Sequence, residues 1–183
     1  MEPQRQDGIG EPDGLERLWT PYRMAYIRGE SKPADDTAGE CPFCRIAETG
    51  DDDRYLVVRR GETAYAVLNL YPYAAGHLMI CPYRHVADYA DTTEQEAAEI
   101  AAMTKAALTT LRAVSRAEGF NVGINQGPAG GAGIAAHLHQ HVVPRWIGDT
   151  NFLPVIGKTK TLPELLQDTR ALLADAWPET WDD

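Results

Sequence analysis

The feature that most narrows the folds open to this 183-residue chain is a five-residue stretch, His137-Leu138-His139-Gln140-His141. Imidazoles alternate here with other side chains, and a period of two is that of a β-strand, whose successive residues point to opposite faces. The stretch, continuing as Val142-Val143-Pro144, predicts a strand with His137, His139 and His141 in a row on one side. Three neutral imidazoles make a poor apolar core, because each must be stripped of water. The row therefore points to chemistry or to a metal, since imidazole is available as a nucleophile at neutral pH and is also a common ligand for zinc, copper and nickel.

The preceding loop, Asn125-Gln126-Gly127-Pro128-Ala129-Gly130-Gly131-Ala132-Gly133-Ile134, favours phosphorus chemistry. Glycines let a backbone approach a ligand closely and aim successive N–H groups at an anion. Alone, such a run is an ordinary turn between strands. Placed directly before the histidines, it reads as an oxyanion cradle beside a nucleophile.

The rest of the chain predicts an α+β body, an antiparallel sheet of about five strands with one long helix and a C-terminal helix. Tyr55 to Arg59, Ala64 to Leu70 and His77 to Pro82 are short apolar and aromatic segments separated by Gly or Pro, as in a meander. From Thr92 to about Arg116, Ile100, Met103, Ala107, Leu108, Leu111 and Val114 recur at helical spacing behind a capped start. Phe120 to Asn125 forms a further strand, and Leu165, Leu166, Leu172 and Leu173 support a last helix from Leu162 to about Ala176. This divides the chain into an arm and linker (1–40), a catalytic domain (41–153) and a helical extension (154–183). The arm contains Leu18-Trp19-Thr20-Pro21-Tyr22-Arg23-Met24-Ala25-Tyr26-Ile27, too aromatic to be left in water, and is expected to pack on the body or on a second subunit.

Charge and cysteine content exclude several classes. A net charge of −10 argues against general nucleic-acid binding, which depends on Lys and Arg neutralising phosphates. The apolar runs are far below the roughly 20 residues that span a bilayer, and the first twenty residues carry no apolar core of a secretory signal. Cys41, Cys44 and Cys81 are too few for a disulfide framework. A reduced, cytoplasmic location is the expectation.

The residues resemble a known family. His137-Leu138-His139-Gln140-His141-Val142-Val143 looks like the histidine triad signature, and Asn69-Leu70-Tyr71-Pro72-Tyr73-Ala74-Ala75-Gly76-His77-Leu78-Met79 matches the family's upstream pattern of Asn or Asp, Pro, then Gly-His. Leu18 to Met24, Gly119 to Asn125 and Trp146 to Phe152 add a likeness to the bacterial branch of diadenosine tetraphosphate phosphorylases or ATP adenylyltransferases. The resemblance implies the histidine triad fold, a homodimer and a nucleotidyl-histidine intermediate. It makes His139 the nucleophile and His141 the residue that orients the phosphate. Asn125 and the backbone of Gly130, Gly131 and Gly133 would hold the α-phosphate, Asn69 the ribose, and Leu68 and Leu70 would flank the base. His77 would support the triad strand. Gln140 stands where the family commonly has an apolar residue, and alternation sends it away from the histidines toward a neighbouring element or a subunit contact.

Cys41-Pro42-Phe43-Cys44 is a Cys-x-x-Cys knuckle, and His85 is a possible third ligand. Such spacing suits two corners of a zinc tetrahedron, or else a pair of buried thiols or a redox pair. Resemblance to zinc-bearing members implies His137 as fourth ligand, with the zinc structural because protein fills its coordination sphere.

The expected reaction is attack by His139 on the α-phosphate of a nucleotide or dinucleoside polyphosphate, then transfer to phosphate. Arg145, Arg23 and Lys158 are the candidate cations for that acceptor. The alternatives are hydrolysis of dinucleotides or nucleoside phosphoramidates, and nucleotide binding without turnover.

Overall fold

The structure is a computed structural model that describes residues 39–149 and 165–180. The arm around Trp19 and Arg23, Thr150 to Phe152 of the segment that begins at Trp146, and Lys158 fall outside the described residues. In chain order the elements are α1 (Pro42–Glu48), β1 (Val57–Arg60), β2 (Ala64–Leu68), β3 (Leu78–Pro82), a 3-10 turn (Tyr89–Asp91), α2 (Glu94–Ser115), β4 (Gly119–Ile124), β5 (Gln140–Arg145) and α3 (Leu166–Ala176). The five strands form one antiparallel sheet in the order β1-β2-β3-β5-β4.

The long helix begins as its sequence dictates. Thr93 accepts from the Glu96 N–H while the Glu96 carboxylate accepts from the Thr93 N–H, closing a capping box. Arg84 pairs with the same carboxylate, tying the helix start to the segment after β3. One helix face buries Ile100, Met103, Ala107 and Leu111 against the sheet. Residues Leu78 and Ile80 of β3 and Ala64, Ala66 and Leu68 of β2 share a face by register, and Gln140 at the level of Ile80 donates to Thr104 of α2 at 2.6 Å. The even-numbered side of β5 therefore meets the helix. Alternation turns His141, Val143 and Arg145 to the opposite face.

Two expectations about boundaries change. The histidine stretch does not pair as a strand from His137, and the ladder begins at Gln140. The Leu138 N–H instead donates to the Val86 carbonyl at 2.6 Å, so this segment is held from outside the sheet. Likewise the last helix starts at Leu166, with Leu173 buried and Leu165 and Leu172 exposed. Helix α3 packs on α2 and β1. Arg170 anchors it by donating to the Val57 carbonyl and pairing with Asp53.

A carboxylate on α2 also holds the β1–β2 turn. Glu99 accepts from the N–H groups of Glu62, Thr63 and Ala64 and from the Thr63 hydroxyl. Gly61 permits this approach, because a Cβ there would sit 2.1 Å from a Glu99 oxygen. Burial raises the Glu99 pKa, but the bonds from Thr63, Glu62 and Ala64 outweigh it and the net shift is downward. A lowered folded-state pKa stabilises the fold above the unfolded value and loses that contribution as pH falls. Glu99→Ala should thus cost about 1–3 kcal/mol at neutral pH, the range for removing charge-assisted bonds. The difference from wild type should shrink in denaturation measured below the ordinary carboxylate pKa of roughly 4. Equal stabilities at neutral pH would contradict this.

Candidate active site and metal centre

The side chains singled out in the sequence converge where α1, β3 and the start of β5 meet. His77, His137, His139 and His141 are all buried. Each ring can be assigned a tautomer from its partners, because a carbonyl only accepts and a backbone N–H only donates. His139 Nδ1 lies 2.8 Å from the His137 carbonyl, so Nδ1 carries the proton and Nε2 is left with a lone pair. His137 Nε2 lies 2.9 Å from the Pro82 carbonyl, so its lone pair is on Nδ1.

His77 and His141 form a second chain. The Tyr73 N–H donates to His77 Nδ1 at 3.1 Å, leaving the proton on His77 Nε2. That Nε2 lies 2.9 Å from His141 Nδ1 and donates to it. The proton of neutral His141 is consequently on Nε2; the Asn125 amide nitrogen 3.4 Å away is itself a donor, so the two do not bond each other and both N–H groups are left for an acceptor oxygen. The result is two adjacent imidazoles of opposite character, rings 5.0 Å apart: His139 presents a lone pair and His141 presents an N–H.

Burial keeps these rings neutral. It pulls His141 down to about 4, with His139 nearby adding to the effect, and lowers His139 below the ordinary imidazole value despite the carbonyl bond. His137 is likewise lowered to about 4 by burial. Such an arrangement can attack an electrophilic centre with His139 Nε2 while His141 donates to an oxygen on the same centre.

The metal-ligating candidates also come together. Donor atoms of Cys41, Cys44, His85 and His137 all lie within 4.8 Å of one another. His137 Nδ1 is 3.4 Å from each sulfur, and His85 Nδ1 is 3.2 Å from Cys44 Sγ. Tetrahedral Zn–S and Zn–N bonds of ordinary length give N to S edges of about 3.5 Å, so the four atoms fit such a cation. Burial, then the adjacent Cys41, pushes the Cys44 thiol up to about 11, and a divalent cation is what would hold it as thiolate. The Pro82 carbonyl fixes the tautomer of His137 that such a site requires.

The chain belongs to the HIT domain family. The family model matches residues 53–146. The AP-4-A phosphorylase of Mycobacterium tuberculosis is 50% identical over 173 residues, which make up 93% of this chain and 88% of that protein. Among solved structures, a Zn-bound histidine triad family protein from Mycobacterium smegmatis is similar with a TM-score of 0.63 and 28% identity, covering 76% of this chain and 94% of its own. A hypothetical histidine triad nucleotide-binding protein from Sulfolobus tokodaii matches with a TM-score of 0.60 and 26% identity, over 74% and 91% of the two chains. The α+β histidine triad fold expected from the sequence is the fold of this HIT domain.

Other expected site residues are placed less uniformly. Asn125 reaches His141, and Asn69 reaches His77 at 3.4 Å while accepting from the Tyr71 N–H. Leu70 is exposed, whereas Leu68 is only 2% exposed and belongs to the core, so it has little surface to offer a base. In the glycine loop, Gly130 is required by packing, since a Cβ would stand 2.3 Å from the Gln126 carbonyl. The Gly131 N–H closes a turn onto Pro128, and that amide is committed within the loop. Arg145 is held by Asp149 in a bidentate pair and also donates to Asn121. Its guanidinium would have to exchange partners to meet a phosphate.

Sequence reasoning missed two residues. Phe43, inside the cysteine knuckle, packs its ring 5.4 Å from His137 and 5.0 Å from His139. Tyr73 orients His77 through its backbone. Its place four residues before His77 in the Tyr-Pro-Tyr segment is the one signal that pointed to it.

Because Cys44 and His137 bridge α1 to the triad segment, Cys44→Ser should abolish stoichiometric metal and lower the melting temperature by several degrees, about 2–4 °C per kcal/mol lost. Elemental analysis and thermal unfolding of protein purified without chelator check this. Unchanged metal content in Cys44→Ser would contradict the ligand set.

Proposed function

We propose that this HIT protein is a nucleotidyltransferase that phosphorolyses diadenosine polyphosphates through a nucleotidyl-His139 intermediate. The observation carrying this reading is the opposite protonation of neighbouring rings, a lone pair on His139 Nε2 and an N–H on His141 Nε2. The AP-4-A phosphorylase of Mycobacterium tuberculosis, the 50% identical relative, supplies the substrate class.

In the first step His139 Nε2 attacks the α-phosphorus, an N–P bond forms, and the bond from phosphorus to the bridging oxygen breaks. The electron pair stays on that oxygen, and from diadenosine tetraphosphate ATP departs. His141 donates to the departing or non-bridging oxygens and stabilises the charge that develops there. In the second step an oxygen of inorganic phosphate attacks, the N–P bond breaks, and ADP is released. Asn125 with the Gly130 and Gly133 backbone holds the α-phosphate, Asn69 meets the ribose, and Leu70 lies beside the base. Leu68 acts behind them from the core.

In this reading Cys41, Cys44, His85 and His137 would hold zinc, which with all four donors supplied by the protein would serve to fix the peptide that carries His139. The three buried cysteines form no disulfide, which supports a reducing, cytoplasmic setting. No helix among the described residues is long and apolar enough to cross a membrane. The protein acts on small nucleotides, not nucleic acid, and works as a homodimer. Strand β4, at the end of the sheet with Val122 46% exposed, offers an edge to a second copy.

Incubating the protein with diadenosine tetraphosphate and millimolar phosphate should give ADP and ATP, with the rate falling when phosphate is withheld. AMP and ATP in a yield indifferent to phosphate would instead identify a hydrolase. His139→Asn, which removes no large apolar volume, should keep the fold by circular dichroism and lose roughly a thousandfold or more of turnover. Near wild-type product formation by that variant would reject the nucleophile.

A further inference from the structure

The face of β4 and β5 that carries His141 continues into a groove of about 300 Å³ that the roles above leave unused. That is the lower end of the range for small-molecule sites. Tyr73 stands at one side, Asn125 and His141 at the head, Val143 beneath, and Arg145 at the far end with Asn121. From His141 to Arg145 the strand runs on the order of 13 Å.

Gly123 shows that this space is not incidental to packing. It lies directly opposite His141 in the ladder, so a side chain there would share the His141 face. A Cβ built on Gly123 meets no atom within 4 Å, and its φ is not in the left-handed region that favours glycine. Neither crowding nor backbone conformation calls for glycine at this position. What its missing side chain does is keep the groove open beside the triad.

The wall and the head of the groove are suited to a nucleotide. Tyr73 is 55% exposed, and its ring lies 5.8 Å from that of His141 at an interplanar angle of 29°. Such a ring offers a face for a base to stack on. The bonding chain from Tyr73 through His77 places the His141 proton on Nε2, at the groove head beside Asn125. An N–H belongs next to the oxygen that gains charge, which is the oxygen of the departing group.

We infer that the groove is the subsite for the departing nucleotide, its polyphosphate leaving past His141 and Asn125 and its base stacked on Tyr73. This rests on the phosphorolysis reading. No proton has to move, since the leaving oxygen becomes a terminal phosphate oxygen of ATP and receives a hydrogen bond from His141. Gly123 and Tyr73 are then specificity residues for two-nucleotide substrates, able to tell diadenosine tetraphosphate from a mononucleotide that ends at the α-phosphate.

The test is a calorimetric titration in the His139→Asn background, which removes turnover, with AMP and with diadenosine tetraphosphate as the two probes. Gly123→Leu fills the groove from a position with room for it and should weaken diadenosine tetraphosphate at least about tenfold more than AMP. Tyr73→Ala should weaken it selectively by roughly fivefold or more, the lower end for loss of one stacked base. Circular dichroism verifies that each variant is folded, and either one suffices. Equal weakening of both probes would place the transferred half in the groove and overturn the inference, as would no weakening of either. If the parent binds neither probe and wild type does not cleave the dinucleotide, the phosphorolysis reading fails with it. Cleavage by wild type with unselective variants would refute only the groove.

Discussion

The arrangement depends on one residue held in two ways. The His137 ring faces Cys41, Cys44 and His85, while its backbone carbonyl accepts the Nδ1 proton of His139. Holding the ring fixes the peptide, and fixing the peptide fixes which nitrogen of His139 carries the lone pair. An imidazole in water exchanges tautomers freely. Here the alternative tautomer would leave a buried carbonyl without its donor and set two lone pairs against each other, a penalty of the kind that decides buried polar networks. Phe43, within the knuckle, packs on both rings, so the Cys and His cluster, the aromatic ring and His139 form one packed unit.

The second histidine pair has the complementary role. His77 takes its orientation from the Tyr73 N–H and passes it to His141, whose remaining proton then faces the substrate side. Both His139 and His141 are kept neutral by burial, so the site contains no fixed positive imidazolium to compete for the nucleophile's lone pair. The proposed transfer of a nucleotidyl group to His139 would draw its charge stabilisation from N–H donors already in place, without reorganisation at the moment of reaction.

Much of this was legible in the chain because the local patterns carry their own geometry. The Thr93 and Glu96 pair forms the capping box that its spacing implies, and Gln140 turns away from the histidines to reach Thr104. The cysteine knuckle and His85 meet His137, the fourth ligand that the family resemblance implies. What escaped the sequence depends on long-range placement. Strand pairing starts at Gln140 because the Val86 carbonyl captures the Leu138 N–H, a contact between residues far apart in the chain. Leu68 and Leu70 are two residues apart, yet one is buried and the other exposed, because β2 ends between them. Arg145 looked available as a phosphate ligand until Asp149, four residues on, proved to occupy it. The backbone role of Tyr73 and the space over Gly123 have no signature in residue type at all.

The central claim is that a nucleotidyl group rides on His139, and the covalent intermediate is the most direct object to measure. Wild-type protein mixed with diadenosine tetraphosphate in phosphate-free buffer, quenched within seconds and analysed by intact and peptide mass spectrometry, should gain one adenylyl group per chain. The account predicts that the added mass maps to His139 through an acid-labile bond and disappears when phosphate is added, with ADP released. An adduct on another residue, or ATP released in a full burst with no adduct on any residue, would contradict it.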